Sequence, residues 1–262
     1  MRILRMAIVA ACLALSGCVT QPSDDRALKP ASPTTGDEGQ DRARARIHTE
    51  LAAGYYELGN MSVALEEVNE ALRSDPNYSP AYNIAGLVYA RLKEDRLASE
   101  SFQRALRANP NDYDALHNYG SFLCDRKQER EAIKQFLAAV RNPLYPLPER
   151  SYVNAGLCAR QSGDLAGAEE YFQQALKVRP AQPQALYQLA ELSLARGDLG
   201  AAKGYLGQLA QAGETSADVL WLGVRIARRL GDGNSEASYA RQLRNRFPNS
   251  QETRALNAGK YE

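Results

Sequence analysis

Ala64, Ala98, Ala132, Ala168 and Ala202 stand 34, 34, 36 and 34 residues apart, each within the same local pattern. Gly86, Gly120, Gly156 and then Ala190 keep that step, as do Phe102, Phe136, Phe172 and then Leu206. Pro76, Pro110 and Pro180 close three of the resulting units, and Pro248 closes another. A repeat of this length constrains the chain more than any local propensity. One small unit must recur, and each copy must bury its apolar face against the next.

The unit 79–112 shows what recurs. Tyr82, Ala85, Gly86 and Tyr89 form an i, i+3, i+4, i+7 stripe on a first helix, and Ala98, Phe102 and Ala105 form the matching stripe on a second. Gly86 falls where the two helices must approach closely, since a helical Gly otherwise costs about 1 kcal/mol against Ala. Pro110 stops the unit because it cannot continue a helix and pushes Asn109 out of the helical region. A lone helical pair leaves apolar surface uncovered, so pairs stack. The period and this alternation of small and large residues mark a tetratricopeptide array, an all-α, right-handed superhelical solenoid.

Carried along the chain, the frame predicts six repeats, 45–78, 79–112, 113–146, 149–182, 183–216 and 217–250, in an array of 43–250 with a tail of 251–262. The third junction, Asn142-Pro-Leu-Tyr-Pro-Leu-Pro-Glu149, adds two residues and three prolines and reads as a stiff, extended connection that tilts one half of the array against the other. Glu214 stands where the fifth unit would have its proline, so a loop ends that unit. Gly231-Asp-Gly-Asn234 predicts a lengthened turn in the sixth. Asn109-Pro-Asn-Asp112 reads as turn chemistry, because no calcium-loop spacing follows it.

The N-terminus carries a second signal. Arg2 and Arg5 precede a short apolar run, Met6 to Leu15, and Leu15-Ser-Gly-Cys18 follows. That run is too short for a spanning helix, which needs about 20 residues, and fits a secretory signal peptide. The Leu-Ser-Gly-Cys ending resembles the bacterial lipobox, which implies a leader of 1–17 and lipidation of Cys18 with palmitate. Val19 stands where an Asp would imply inner-membrane retention, so the implied address is the periplasmic face of the outer membrane. Residues 18–42 read as a lipidated start and flexible tether, with Pro22, Pro30, Pro33, Gly36 and Gly39 among few apolar residues. Its span is on the order of 25 Å.

Composition narrows the function. The chain is formally +1 and becomes −1 without Arg2 and Arg5, so no basic excess points to nucleic acid. Phosphate-loop, Gly-x-Ser-x-Gly and His-Glu-x-x-His patterns are missing, and the two histidines, His48 and His117, lie in different units without ligand-spaced companions. No catalytic residue, metal or cofactor is expected, and the chain reads as a non-enzyme. Cys124 and Cys158 fall on the first helices of consecutive units. In an oxidising compartment they either pair in a disulfide or remain two small, half-buried hydrophobes; the spacing leaves both open.

Asn118-Tyr-Gly-Ser-Phe-Leu-Cys124, the Asn142-Pro-Leu-Tyr-Pro146 junction, Asn154-Ala-Gly-Leu-Cys158 and Leu222-Gly-Val-Arg-Ile-Ala227, with the lipobox, tether and six units, resemble the type IV pilus biogenesis lipoproteins of the PilF/PilW family. The resemblance implies an outer-membrane lipoprotein needed for type IV pili and twitching motility. Its partners would be secretin subunits or other pilus assembly proteins, with a role as pilotin or in pilus stability. The repeats by themselves also fit another outer-membrane scaffold, in barrel assembly or as an adaptor for cell-wall enzymes. Either way the useful surface is a groove lined by the first helices. By repeat position Tyr56, Asn83, Leu87, His117, Ser121, Leu157 and Tyr187 are its candidate residues, although packing between units accounts equally well for each aromatic or leucine.

Overall fold

A computed structural model describes residues 39–261. The leader, the lipidation candidate Cys18 and the tether up to residue 38 lie outside the described residues. Thirteen helices and no strand occur among the described residues. Six antiparallel pairs follow the repeat frame: α1 (Gln40–Glu57) with α2 (Met61–Ser74), α3 (Ser79–Arg91) with α4 (Asp95–Ala108), and α5 (Tyr113–Asp125) with α6 (Glu129–Ala139). The others are α7 (Pro148–Gln161) with α8 (Leu165–Val178), α9 (Pro183–Arg196) with α10 (Leu199–Gln211), and α11 (Ala217–Leu230) with α12 (Gly233–Arg246). The chain is a solenoid of tetratricopeptide repeats.

The pairs form because each second helix offers a ring to a gap in the first. A Cβ placed on Gly86, Gly120 or Gly156 would stand 2.6, 2.8 or 2.5 Å from the ring of Phe102, Phe136 or Phe172, closer than carbon atoms pack. Glycine therefore sets the distance between the helices, and the three rings are completely or almost completely buried. The turn joining each pair is also uniform. Its second helix starts after an N-cap at Asn60, Glu94, Gln128, Asp164, Asp198 and Asp232, and the three aspartates accept hydrogen bonds from Gly167, Ala201 and Ser235 nitrogens. The residue before each cap is left-handed: Gly59, Lys93, Lys127, Gly163, Gly197 and Gly231.

Three expectations need correcting at the edges. The first helix begins at Gln40, so residues 40–42 are helical and not tether. The turn of the sixth unit is no longer than the others, because Gly233 and Asn234 already belong to α12; after the Asp232 cap the chain can start a helix even with glycine. The tail folds as well. Residues Gln251–Asn257 form α13, which packs on α11 and α12, buries Leu256 and donates a Thr253 hydroxyl to the Phe247 carbonyl at 2.7 Å. α13 covers the apolar face of α11 and α12, with Leu256 packed among Leu220, Val224, Ala240 and Leu243, as a capping element of a solenoid does.

At the third junction the added residues are pinned. Tyr145 is buried, stacks on Tyr113 at 5.1 Å, and puts its hydroxyl 3.1 Å from His117 Nδ1. Asn142 donates to the Asn111 carbonyl at 2.7 Å and accepts from the Leu144 nitrogen at 2.9 Å. Up to this point each first helix packs on both helices of the preceding pair; from α7 onward it packs mainly on the preceding second helix. The turn Asn109-Pro-Asn-Asp112 spends its polar atoms locally, Asn109 on the Asn111 nitrogen and Asp112 on Ala115 and the Ser79 hydroxyl.

Candidate functional site

First helices touch one another along the array, α1 on α3, α3 on α5, α5 on α7 and α9 on α11, whereas successive second helices make no comparable contacts. The helices that come together lie on the shorter radius, so the first helices form the inner, concave wall. That wall is where the candidate residues fall, and the structure sorts them into two groups.

Asn83 and His117 are taken up by packing between units. Asn83 is only 5 % exposed and accepts a hydrogen bond from Asn118 at 3.1 Å. His117 puts Nδ1 2.7 Å from Ser151 Oγ, and its Nε2 lies 3.4 Å from Asn154 Nδ2. These contacts suit the neutral Nδ1–H tautomer, which donates to Ser151 and accepts from the Asn154 amide. Burial, aided by the nearby positive charge of Arg150, pushes the imidazole down to about 4. Ser151 is fully buried, so this Ser–His contact offers no nucleophile to a substrate. Sequence reasoning misplaced both residues because the fifth position of a first helix turns toward the next unit when a polar partner waits there.

The remaining candidates are only partly covered. Tyr56 lies under the Arg91 guanidinium, 5.4 Å from its ring centroid. Leu87 rests against the core of units two to four and Leu157 against that of units four and five, both half-buried. Ser121 and Leu157 border a cavity of about 200 Å³ with Cys124, Asp125, Asn154 and Gln161. The structure joins Cys124 to Cys158 in a disulfide, with Cα atoms 5.9 Å apart, directly beneath this cavity's edge. Tyr187 lies farther along the wall; burial and the Glu191 and Asp218 carboxylates push its hydroxyl up to about 12.

The same positions in the last two units were missed. Position nine runs Leu87, Ser121, Leu157, Glu191 and Arg225, so the frame that selected the first three also pointed to the Glu191–Arg225 pair, which is 2.7 Å apart. Arg228, Arg229 and Tyr261 continue that end of the wall. Tyr261 had no periodic signal, because it arrives from beyond the last repeat. Among the described residues no group of acidic, histidine or cysteine side chains has the makings of a metal site, and no described helix is long and apolar enough to cross a membrane.

Comparison with known proteins agrees with this architecture. Tetratricopeptide-repeat families match residues 49–113, 101–134, 128–184 and 159–221. The type IV pilus assembly protein PilF of Pseudomonas aeruginosa is 32% identical over 246 residues, 94% of this chain and 94% of the relative. The solved structure of Pseudomonas aeruginosa PilF superposes with a TM-score of 0.74 at 31% identity, covering 85% of this chain and 100% of the other. The crystal structure of PilW, a widely conserved type IV pilus biogenesis factor, superposes with a TM-score of 0.70 at 33% identity, covering 81% and 97%. With the solenoid of six helical pairs already established, this likeness along nearly the whole length places the chain in the family of the type IV pilus assembly protein PilF.

Proposed function

We propose that this chain is a non-catalytic scaffold of type IV pilus assembly, anchored through a lipidated Cys18 at the periplasmic face of the outer membrane. Its concave wall holds a secretin subunit or another pilus assembly protein. The observation that carries this reading is the inner wall of first helices, with half-covered Leu87, Leu157 and Ser121 along it, in a chain similar to PilF over nearly its whole length. An extended or helical segment of a partner is what such a wall accommodates. The Leu15-Ser-Gly-Cys18 ending supports the anchor, since several acyl chains on one cysteine bind firmly at about 0.8 kcal/mol per buried methylene.

Deleting the gene tests this. Surface pili and twitching motility should be lost while general outer-membrane proteins stay near normal. A parallel fall in secretin multimers selects the pilotin role, and unchanged multimers select the pilus-stability role. Normal piliation with a broad loss of outer-membrane barrels overturns the proposal in favour of a barrel-assembly scaffold. For the anchor, palmitate labelling should disappear in Cys18→Ala; labelling that persists removes the lipid anchor at that residue.

A further inference from the structure

The inner wall ends, at units five and six, in a slot that the chain fills with a side chain of its own. The ring of Tyr261 stacks on Trp221, with centroids 5.6 Å apart and planes 21° from parallel. The Arg228 guanidinium lies 3.8 Å from the centroid of the same ring. Beside it opens a cavity of about 520 Å³, bordered by Leu194, Ala195, Arg225, Arg228, Arg229 and Tyr261.

The charged side chains that border this cavity are all arginines. Arg225, Arg228 and Arg229 share one face of α11 at i, i+3 and i+4, a spacing at which like charges oppose one another. The end of a helix favours cations in its last turn, which accounts for Arg228 and Arg229 but not for Arg225 or for the aromatic slot. Arg225 pairs with Glu191 at 2.7 Å and Arg228 with Glu236 at 3.0 Å. Each guanidinium carries five N–H donors in a fixed fork, so one carboxylate leaves donors unused. Arg229 is exposed and makes no ion pair or hydrogen bond with any described residue. Apolar Leu194 and Ala195 line the floor beside these forks.

We propose that this end of the groove receives a partner segment carrying an aromatic side chain next to carboxylates, and that Tyr261 is its built-in competitor. The ring specificity follows from what the slot already holds, an aromatic face against an indole and a guanidinium. The acidic specificity follows from planar guanidinium forks, which match carboxylates two bonds at a time. Because the slot is filled in the resting chain, apparent affinity is reduced by the fraction of molecules in which Tyr261 is displaced. The inference rests on the concave wall being a peptide-holding surface, and not on which pilus component is held.

The test is fluorescence anisotropy with the full-length protein and a fluorescein-labelled peptide, Gly-Asp-Glu-Phe-Asp-Gly. A version with alanine for the phenylalanine and one with lysines for the acids serve as controls. The acidic aromatic peptide should bind, and each control should bind about tenfold more weakly or worse. Arg229→Glu should weaken binding by about tenfold, and Tyr261→Ala should tighten it severalfold. Thermal unfolding checks that each variant is folded; if Tyr261→Ala melts early, Arg229→Glu and the lysine peptide decide. No binding at 1 mM peptide, unchanged affinity in Arg229→Glu, or equal binding of the lysine peptide overturns the proposal. Peptide binding by a chain whose deletion spares piliation would remove the pilus role and leave this site standing. A deletion that abolishes pili, with no peptide binding, would do the reverse.

Discussion

In units two to four the first helix offers a glycine and the second a phenylalanine, Gly86 to Phe102, Gly120 to Phe136 and Gly156 to Phe172. In units five and six the corresponding pairs are Ala190 with Leu206 and Val224 with Ala240, and only Gly223, one residue earlier, still lies against a ring, that of Tyr239. In the first set the helix spacing depends on one missing Cβ, so any added side chain forces the ring or the helices to shift. In unit five the contact is spread over branched side chains, with Leu189, Leu209, Leu222 and Ile226 fully or almost fully buried nearby, whereas unit six keeps a close contact, a Cβ on Gly223 standing 2.9 Å from the Tyr239 ring. The two regions also join their units differently. Units three and four carry a disulfide and the Ser151–His117–Asn154 hydrogen bonds; units five and six meet through leucine-rich packing.

The largest expected effect separates these regions by redox state. The Cys124–Cys158 bridge closes a loop of 33 intervening residues, for which loop-closure entropy gives about 3–4 kcal/mol of stabilisation. Reductant should lower the melting temperature, and hydrogen exchange should rise most in α5–α8 and least in α11–α13. Full alkylation of both thiols in unreduced, unfolded protein would show them unpaired.

Next in size is Gly120→Leu, which overpacks a contact with no room for a Cβ and should cost about 1–3 kcal/mol or more in urea unfolding. Because solenoid stability is shared with neighbours, units two and four should loosen with it. A methyl group added at Gly204 on α10 would meet nothing within 4 Å, so Gly204→Ala should instead stabilise by up to about 1 kcal/mol. Equal effects of the two substitutions would contradict the close contact at Gly120.

Between pH 7 and pH 5, acid should act mainly on the polar junction. His117 is held neutral in the fold with its value near 4, against an ordinary 6.5. The unfolded chain therefore takes up the proton first, and stability falls as pH drops from 6.5 toward 4. The loss is about 2 kcal/mol between pH 7 and pH 5. Burial pushes the Asp114 carboxyl up, which offsets part of this at the acid end. His117→Gln should flatten the dependence between pH 7 and pH 5, as read by chemical denaturation at each pH. The smallest effect lies in the turns. Lys93 and Lys127 occupy the left-handed position that glycine fills in the other four units, so Lys127→Gly should stabilise by about 0.5–1 kcal/mol in thermal unfolding.

The helical pairs and their close contacts were readable in the sequence because a fixed period ties each small residue to a large one sixteen positions later, as Gly86 is tied to Phe102. The contacts between units were not. Whether His117 faces a groove or Ser151 depends on how α7 is set against α5 and α6, which no single repeat specifies. Tyr145 shows the same limit: it reads as part of a proline-rich connector and becomes the buried anchor of the junction only through Tyr113 and His117. At the far end, Arg225 could be reached by the frame, whereas Tyr261 and the covering helix α13 lie past the last period.

The most direct measurement is complementation of the deletion strain with Leu87→Glu/Leu157→Glu, two substitutions on the partly covered inner wall of units two and four. The variant should accumulate to the parental level and keep its lipid label, yet fail to restore surface pili and twitching motility. Full piliation by a variant with two carboxylates on that wall would contradict the concave face as the surface that holds the pilus component.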